Sequence, residues 1–489
     1  MMGSHFRLTA VIVLILCCCF PANFYGQSPG TLPDDGLSHP DPGQRRGDVE
    51  SSPLRDSHKK SASINPIEVF YQAIDIINQF YVSEVSNRVL LDAVLHRLQL
   101  MMLPQCGETM RGLEDCQSSS EKCFLEILEE AAMTCDLDLE SLVLKSINLL
   151  TRCLDANSSL LDQGMMNELS ISTSGTFGGV GMVVTARADQ YVVVSSLDGS
   201  PAQRAGISAG DTILEIDGRR LRGLSLPIVL GMVRGPSGSM MSLLVESGKT
   251  KKTKKINIRR QTIRIAPVRG TVLSGGIAYI RIVNFQEDTN AELQRVLVRL
   301  FANHRRNFKG IILDVRDNPG GLFEEAIKVA SLFKSQSLIT SLRGRNPNVT
   351  RDFFSPLEKS LFDGPIVVLT NDGSASGSEI LVGALQGMPN VRIMGQRTFG
   401  KASVQGVFPL TNSLALRLTT AHYYTADGRD IDGRGIDPDT VLDVGHENTI
   451  ARVGKLNAQD LETDPLIGVA LQYIVTKKLP SRSPFDSLF

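Results

Sequence analysis

The spacing of apolar residues changes twice along this chain, and those changes limit its fold more than any other feature. Between about 64 and 168 the apolar residues recur at helical intervals, as in Val69, Ala73, Ile76 and Ile77 and again in Leu91, Val94, Leu95 and Leu98. From about 171 to 262 short β-rich runs take over, among them Tyr191-Val192-Val193-Val194 and Thr212-Ile213-Leu214-Glu215-Ile216, parted by turn signals such as Asp217-Gly218. From 263 to 445 strand and helix patterns alternate in the α/β manner. A chain of 489 residues exceeds what one hydrophobic core usually organises, so these regions predict an α/β multidomain protein.

The ends carry other signals. Arg7 followed by the apolar stretch Leu8 to Phe20 predicts a signal peptide over 1–26, the stretch being shorter than the roughly 20 residues a membrane span needs. An uncleaved N-terminal anchor is the competing reading. Residues 27–63, rich in Pro, Gly, Ser, Asp and Arg, read as a disordered linker. Beyond 446 the stretch with Leu466, Val469, Ala470 and Tyr473 predicts a C-terminal helical tail over 446–489, packed on the core or on a second protomer. Five cysteines, Cys106, Cys116, Cys123, Cys135 and Cys153, follow the signal without a Cys-x-x-Cys pair, which favours disulfides in an oxidising compartment over metal binding. The expected location is therefore outside the cytoplasm, periplasmic in a bacterium. With 51 Lys+Arg against 52 Asp+Glu and no basic stripe, nucleic acid and anionic membrane lack an electrostatic case, and a protein or peptide partner is expected.

The residues with the clearest chemical reading follow the strand Pro365 to Thr370. The turn Asn371 to Ser376 leads into a helix carrying Ile380, Leu381, Ala384 and Leu385. A serine on such a turn projects over the carboxyl end of a sheet, beside helical N–H groups able to hold an oxyanion. Taken alone, Ser374, Ser376 and Ser378 are equally good helix caps. A histidine base has weak candidates, because His304 sits in the basic run His304-Arg305-Arg306 and His422 reads as a packed strand residue. A lysine base is physically possible too, since one acting near neutrality must lose roughly three units from about 10.4, about 4 kcal/mol, which burial can supply.

Two resemblances bear on these residues. Ser200-Pro201-Ala202-Gln203-Arg204-Ala205-Gly206-Ile207, Gly210-Asp211-Thr212-Ile213 and Ile216-Asp217-Gly218 resemble the core of a PDZ domain. Gly373-Ser374-Ala375-Ser376-Gly377-Ser378-Glu379-Ile380 and Thr398-Phe399-Gly400-Lys401-Ala402-Ser403-Val404-Gln405 resemble the nucleophile and general-base motifs of the C-terminal processing (tail-specific) serine peptidases. The glycine turn Asp317-Asn318-Pro319-Gly320-Gly321 precedes both, as in that family, and Gly435-Ile436-Asp437-Pro438-Asp439 follows. The resemblance implies an N-terminal helical domain at 64–168, a PDZ domain at 169–262, and a serine peptidase cap and core at 263–445 of the crotonase/ClpP-like type with a β cap. It makes Ser376 the nucleophile, Lys401 the base and Gln405 the residue that orients it. The oxyanion hole falls to the N–H of Gly377 and that of Gly320 or Gly321. Gly377 stands where many relatives have alanine, a change expected to be harmless. In the PDZ domain, Gly179, Val180, Gly181 and Met182 match the carboxylate-binding loop, and Arg234 stands where relatives carry an arginine linked to activation.

The function so implied is a serine-type endopeptidase that holds apolar C-terminal tails in its PDZ domain and cleaves near them through an acyl-enzyme, without metal or cofactor. The reading from another class is a non-catalytic PDZ tail-binding scaffold on a degenerate peptidase fold. An adaptor protein and a homodimer through the terminal helical regions are further candidate partners.

Overall fold

In the computed structural model the described residues are 65–102, 112–113, 118–187, 190–197, 199–303, 308–411, 413–442 and 458–478. The expectations for the signal peptide, the linker, Cys106, Cys116 and His304 lie outside them.

The helical spacing near the N-terminus folds as α1 (Pro66–Phe80), α2 (Asn87–Met102), α3 (Ser120–Thr134) and α4 (Leu139–Leu154). Side-chain oxygens of Asn65 and Asp138 accept N–H groups at the starts of α1 and α4, satisfying donors that have no partner within the helix. The apolar faces meet around Phe70, Leu91, Phe124 and Leu128, and Leu410, Leu414, Leu416 and Leu418 of the α/β region complete this core. Helix does not run to 168. Ser159–Leu161 forms strand β1, and α5 (Gln163–Ser174) follows it.

The second region holds β2 (Thr176–Gly179), β3 (Met182–Arg187), β4 (Gln190–Ser196), α6 (Pro201–Arg204), β5 (Thr212–Ile216) and β6 (Arg219–Arg220). Helix α7 (Leu226–Val233), β7 (Met240–Glu246), β8 (Thr253–Arg259) and β9 (Gln261–Arg264) complete it. Its sheet runs β3-β4-β5-β7-β8, with β6 on β5, so β3 is an edge strand. Strands β2 and β9 pair from Thr176↔Arg264 to Gly179↔Gln261, so the chain enters and leaves this region through one two-stranded ribbon.

The third region contains β10 (Val268–Leu273), β11 (Ile277–Ile282), α8 (Thr289–Asn303), β12 (Gly310–Asp314), α9 (Phe323–Ser331), β13 (Leu338–Arg343) and β14 (Arg351–Phe354). It continues with β15 (Ile366–Thr370), α10 (Gly377–Leu385), β16 (Val391–Gly395), β17 (Ser403–Pro409), β18 (Ala415–Thr425), β19 (Thr440–Val441), α11 (Ala458–Glu462) and α12 (Pro465–Thr476). One sheet runs β10-β11-β12-β15-β16-β19 and is parallel from β11 onward. Its strands are apolar on both faces because both are covered. Ile311, Leu313, Ile366 and Val368 pack with residues of α8, α9 and α10. Their neighbours Ile312, Val367 and Leu369 join Ile467, Val469, Ala470 and Ile474 of α12 on the other side. The predicted apolar stretch of the tail therefore packs on its own sheet. A second sheet, β1-β18-β13-β14 with β17 on β18, caps the first.

The seam between α12 and the sheet is ionic. Asp464 accepts an N–H from Leu466 at the helix start and pairs with Arg316 at 3.1 Å. Arg316 and Arg281 in turn bind Asp314, at 2.6 and 2.8 Å. Burial would raise the Asp314 carboxyl, but the two guanidinium groups hold it well below the usual carboxylate range.

Candidate active site

Ser376 sits between β15 and α10, at the carboxyl end of the parallel sheet. Its backbone adopts φ 52° and ψ −108°, a region side-chain-bearing residues rarely occupy. Two turns stitched together impose this strain. Ala375 N–H and Ser378 Oγ donate to the carbonyl of Asn318, at 3.0 and 2.8 Å, and Ser374 Oγ donates to Val315 O at 2.8 Å. Asp317 and Asn371 exchange two bonds of 2.7 Å. Close approach needs glycine at 320, where φ is 100° and a Cβ would lie 2.8 Å from Ser376 Cβ. The Ser376 Oγ is buried and has no hydrogen-bond partner among the described residues.

Lys401, half-buried in the loop before β17, is held to this turn by two bridges. The first is Glu379, whose Oε2 accepts from Ser376 N–H at 2.8 Å and Lys401 N–H at 2.9 Å. Its Oε1 accepts from Thr398 Oγ1 at 2.6 Å and Gly400 N–H at 2.7 Å. Burial raises the Glu379 carboxyl above its ordinary value, and these four bonds oppose the rise. The second is Tyr423, whose hydroxyl lies 3.0 Å from Ser376 O and 2.7 Å from Lys401 O. The Gly435-Ile436 motif supports the same loop, as Ile436 N–H donates to Thr398 Oγ1 at 2.7 Å. Nothing in the sequence reading assigned a role to Glu379. Its signal was the Ser-x-x-Glu spacing from Ser376, a helix-start pattern whose glutamate turns back to the cap backbone.

The other residues singled out in the sequence fall as follows. Gln405 is buried on β17 and donates to Ser403 Oγ at 2.9 Å, with Thr419 Oγ1 at 3.5 Å. Gly377 opens α10, so its N–H has no acceptor in the preceding turn of helix. Gly320 N–H instead donates to Asn318 Oδ1 at 2.9 Å and is committed within its own loop. A Cβ at 377 would lie 2.9 Å from Phe285 Cδ2, so the Phe285 ring packs against the glycine in this chain.

In the second region, Gly179 ends β2, Val180 is buried, Gly181 has φ 70° and Met182 opens edge strand β3. A Cβ at 181 would lie 2.5 Å from Ser200 Cβ, so the loop is drawn close to the start of α6. Helix α7 flanks β3, leaving an edge to which an extended peptide can add as a further strand. Arg234, the residue after α7, turns to the β2–β9 ribbon that joins this region to the rest as a hinge, paired with Glu168 of α5 and lying 5.2 Å over the Phe177 ring of β2.

Two of these regions match known protein families. The family model for peptidase family S41 matches residues 276–442, and a PDZ-domain model matches 192–247. A carboxy-terminal-processing protease from Bartonella bacilliformis is 40% identical over 307 residues, 63% of this chain and 70% of that protein. A Staphylococcus aureus protein named "Probable CtpA-like serine protease" is 34% identical over 291 residues, and the match spans 57% of its length. Among solved structures, a photosystem II D1 C-terminal processing protease aligns with TM-score 0.44 and 26% identity over 78% of this chain and 94% of that one.

Proposed function

The chain belongs to peptidase family S41, the carboxy-terminal-processing serine proteases, and carries a PDZ domain; from that premise we propose that it cleaves proteins near C-terminal tails with Ser376 and Lys401. The observation that carries this reading is the strained Ser376 turn, whose backbone shares two bridging residues, Glu379 and Tyr423, with Lys401.

An apolar tail adds as a strand to β3, its terminal carboxylate facing the loop Gly179 to Met182. Lys401 Nζ, as the free amine, takes the proton of Ser376 Oγ while that oxygen bonds to the peptide carbonyl carbon. Gly377 N–H donates to the resulting oxyanion, and Gln405 orients the lysine. The carbonyl re-forms as the C–N bond breaks, the proton on Lys401 passes to the departing amine, and an ester remains on Ser376. Water then gives a proton to Lys401 and its oxygen to the ester carbon. The acid is released, and that proton returns to Ser376. We place the protein outside the cytoplasm, a reading supported by the disulfide at Cys123.

The test is hydrolysis of an unfolded protein with an apolar C-terminus by the full chain, by Ser376→Ala and by Lys401→Ala. Both variants should lose roughly 10⁴-fold or more in kcat/KM while still binding the tail. Cleavage undiminished by Ser376→Ala would remove the assignment. Tail binding without cleavage by the unaltered chain would leave the scaffold reading.

A further inference from the structure

Away from Ser376, a cavity of about 720 Å³ opens between α4, β1, the start of α5 and β18. Ser159 and Arg417 line it and stand directly opposite each other in the β1–β18 ladder, so their side chains share one face of the sheet. Each carries a buried polar atom, Ser159 Oγ and Arg417 Nε, with no hydrogen-bond partner among the described residues. Buried donors are rarely left unpaired in native proteins, and two on one face of one cavity call for a shared acceptor.

The charges around them favour an anion. Lys145 and Arg152 of α4 are exposed on the same cavity. The two acidic residues that line it are occupied. Asp155 accepts from Asn157 N–H, Ser158 N–H and Ser158 Oγ, and Asp162 accepts from Met165 N–H at the start of α5. Burial works against the Arg417 charge and outweighs the support of the Asp155 carboxylate, a cost that a bound anion would relieve.

We propose that this cavity binds a carboxylate, with Arg417 Nε–H and Ser159 Oγ–H donating to its oxygens and Lys145 and Arg152 drawing it in. A guanidinium presents its Nε–H and a neighbouring Nη–H side by side, which matches the two oxygens of a carboxylate. The volume lies within the range of small-molecule sites, enough for a small organic acid or the end of a short peptide. Gln405 lies near the same strand: Thr419, two residues along β18 from Arg417, is the residue that Gln405 Nε2 approaches at 3.5 Å.

Calorimetric titration and thermal melting of the full chain with succinate, an acetylated tripeptide acid, its C-terminal amide and inorganic phosphate test this. Succinate or the peptide acid should bind saturably and raise the melting temperature, while the amide stays silent. Binding by succinate alone identifies a free organic acid as the ligand, and binding by the peptide acid alone identifies a peptide end. Affinity should fall about tenfold or more in Arg417→Met, and measurably in Ser159→Ala. No saturable carboxylate binding, unchanged binding in Arg417→Met, or a preference for phosphate over every carboxylate would overturn the proposal. Should Arg417→Met fail to fold, the exposed double variant Lys145→Gln/Arg152→Gln decides, since unchanged affinity there would overturn it as well.

Discussion

Glu379 joins the two halves of the proposed active site, the Ser376 turn and the Lys401 loop. All four of its neighbours donate hydrogen bonds to it, so the amide of a glutamine cannot satisfy them all. Glu379→Gln turns an NH₂ toward two N–H or O–H donors and should cost about 1–3 kcal/mol, seen as a lower melting temperature, with a larger loss of kcat/KM. The pH response follows from the raised carboxyl. A group whose folded pKa lies above its ordinary 4.5 contributes stability below that value and loses it as pH rises through the folded pKa. On the proposed mechanism the carboxylate holds the Lys401 loop to the Ser376 turn, so activity should rise across the same interval. Opposite slopes of melting temperature and kcat/KM above pH 4.5, with the stability slope absent in Glu379→Gln, would establish both effects. Gly320→Ala should abolish cleavage and destabilise by about 2 kcal/mol or more, measured by urea unfolding, because its methyl would lie 2.7 Å from Ala375 O.

At the scale of elements, α12 shows how a tail becomes part of a core. Asp464 both caps the helix and neutralises Arg316. Asp464→Ala removes the cap and leaves Arg316 to Asp314 alone, for a cost of about 2–3 kcal/mol and a lower urea midpoint. Asp464→Asn keeps a capping oxygen and should recover part of the loss. The hinge ribbon is a second such element. Gly235 N–H bonds Gly178 O at 3.0 Å, and a Cβ at 178 would fall 2.0 Å from Gly235 O, so the end of α7 rests directly on β2.

For the molecule as a whole, the two peripheral regions differ in how they can be separated. Removal of 65–154 would expose Leu410, Leu414, Leu416 and Leu418, which complete the helical core. At about 1.5–3 kcal/mol per leucine this approaches the net stability of a domain, and the shortened chain should aggregate. The PDZ region should excise cleanly, because Gly179 and Gln261 are ladder partners that a two-residue Asn-Gly turn can join. The excised protein should melt cooperatively in calorimetry, having lost tail binding.

Much of this was legible in the chain. Apolar spacing identified the helical region, the strands of the sheet and the face of α12, because burial imposes the period of each element on the residues that meet the core. The Ser376 turn and the Lys401 loop could be named from their motifs, since strained turns and close backbone approaches admit few residue types. What tertiary structure decided was partnership. Strand β1 joined a sheet whose other members lie far along the chain, the helices borrowed leucines from β18 and the loop before it, and Arg234 turned to the β2–β9 ribbon. Glu379 gained its role only when Thr398, Gly400 and Lys401 folded over it. Hydrogen bonds and shared cores are set by distance in space, and spacing along the chain records only the face each element must bury.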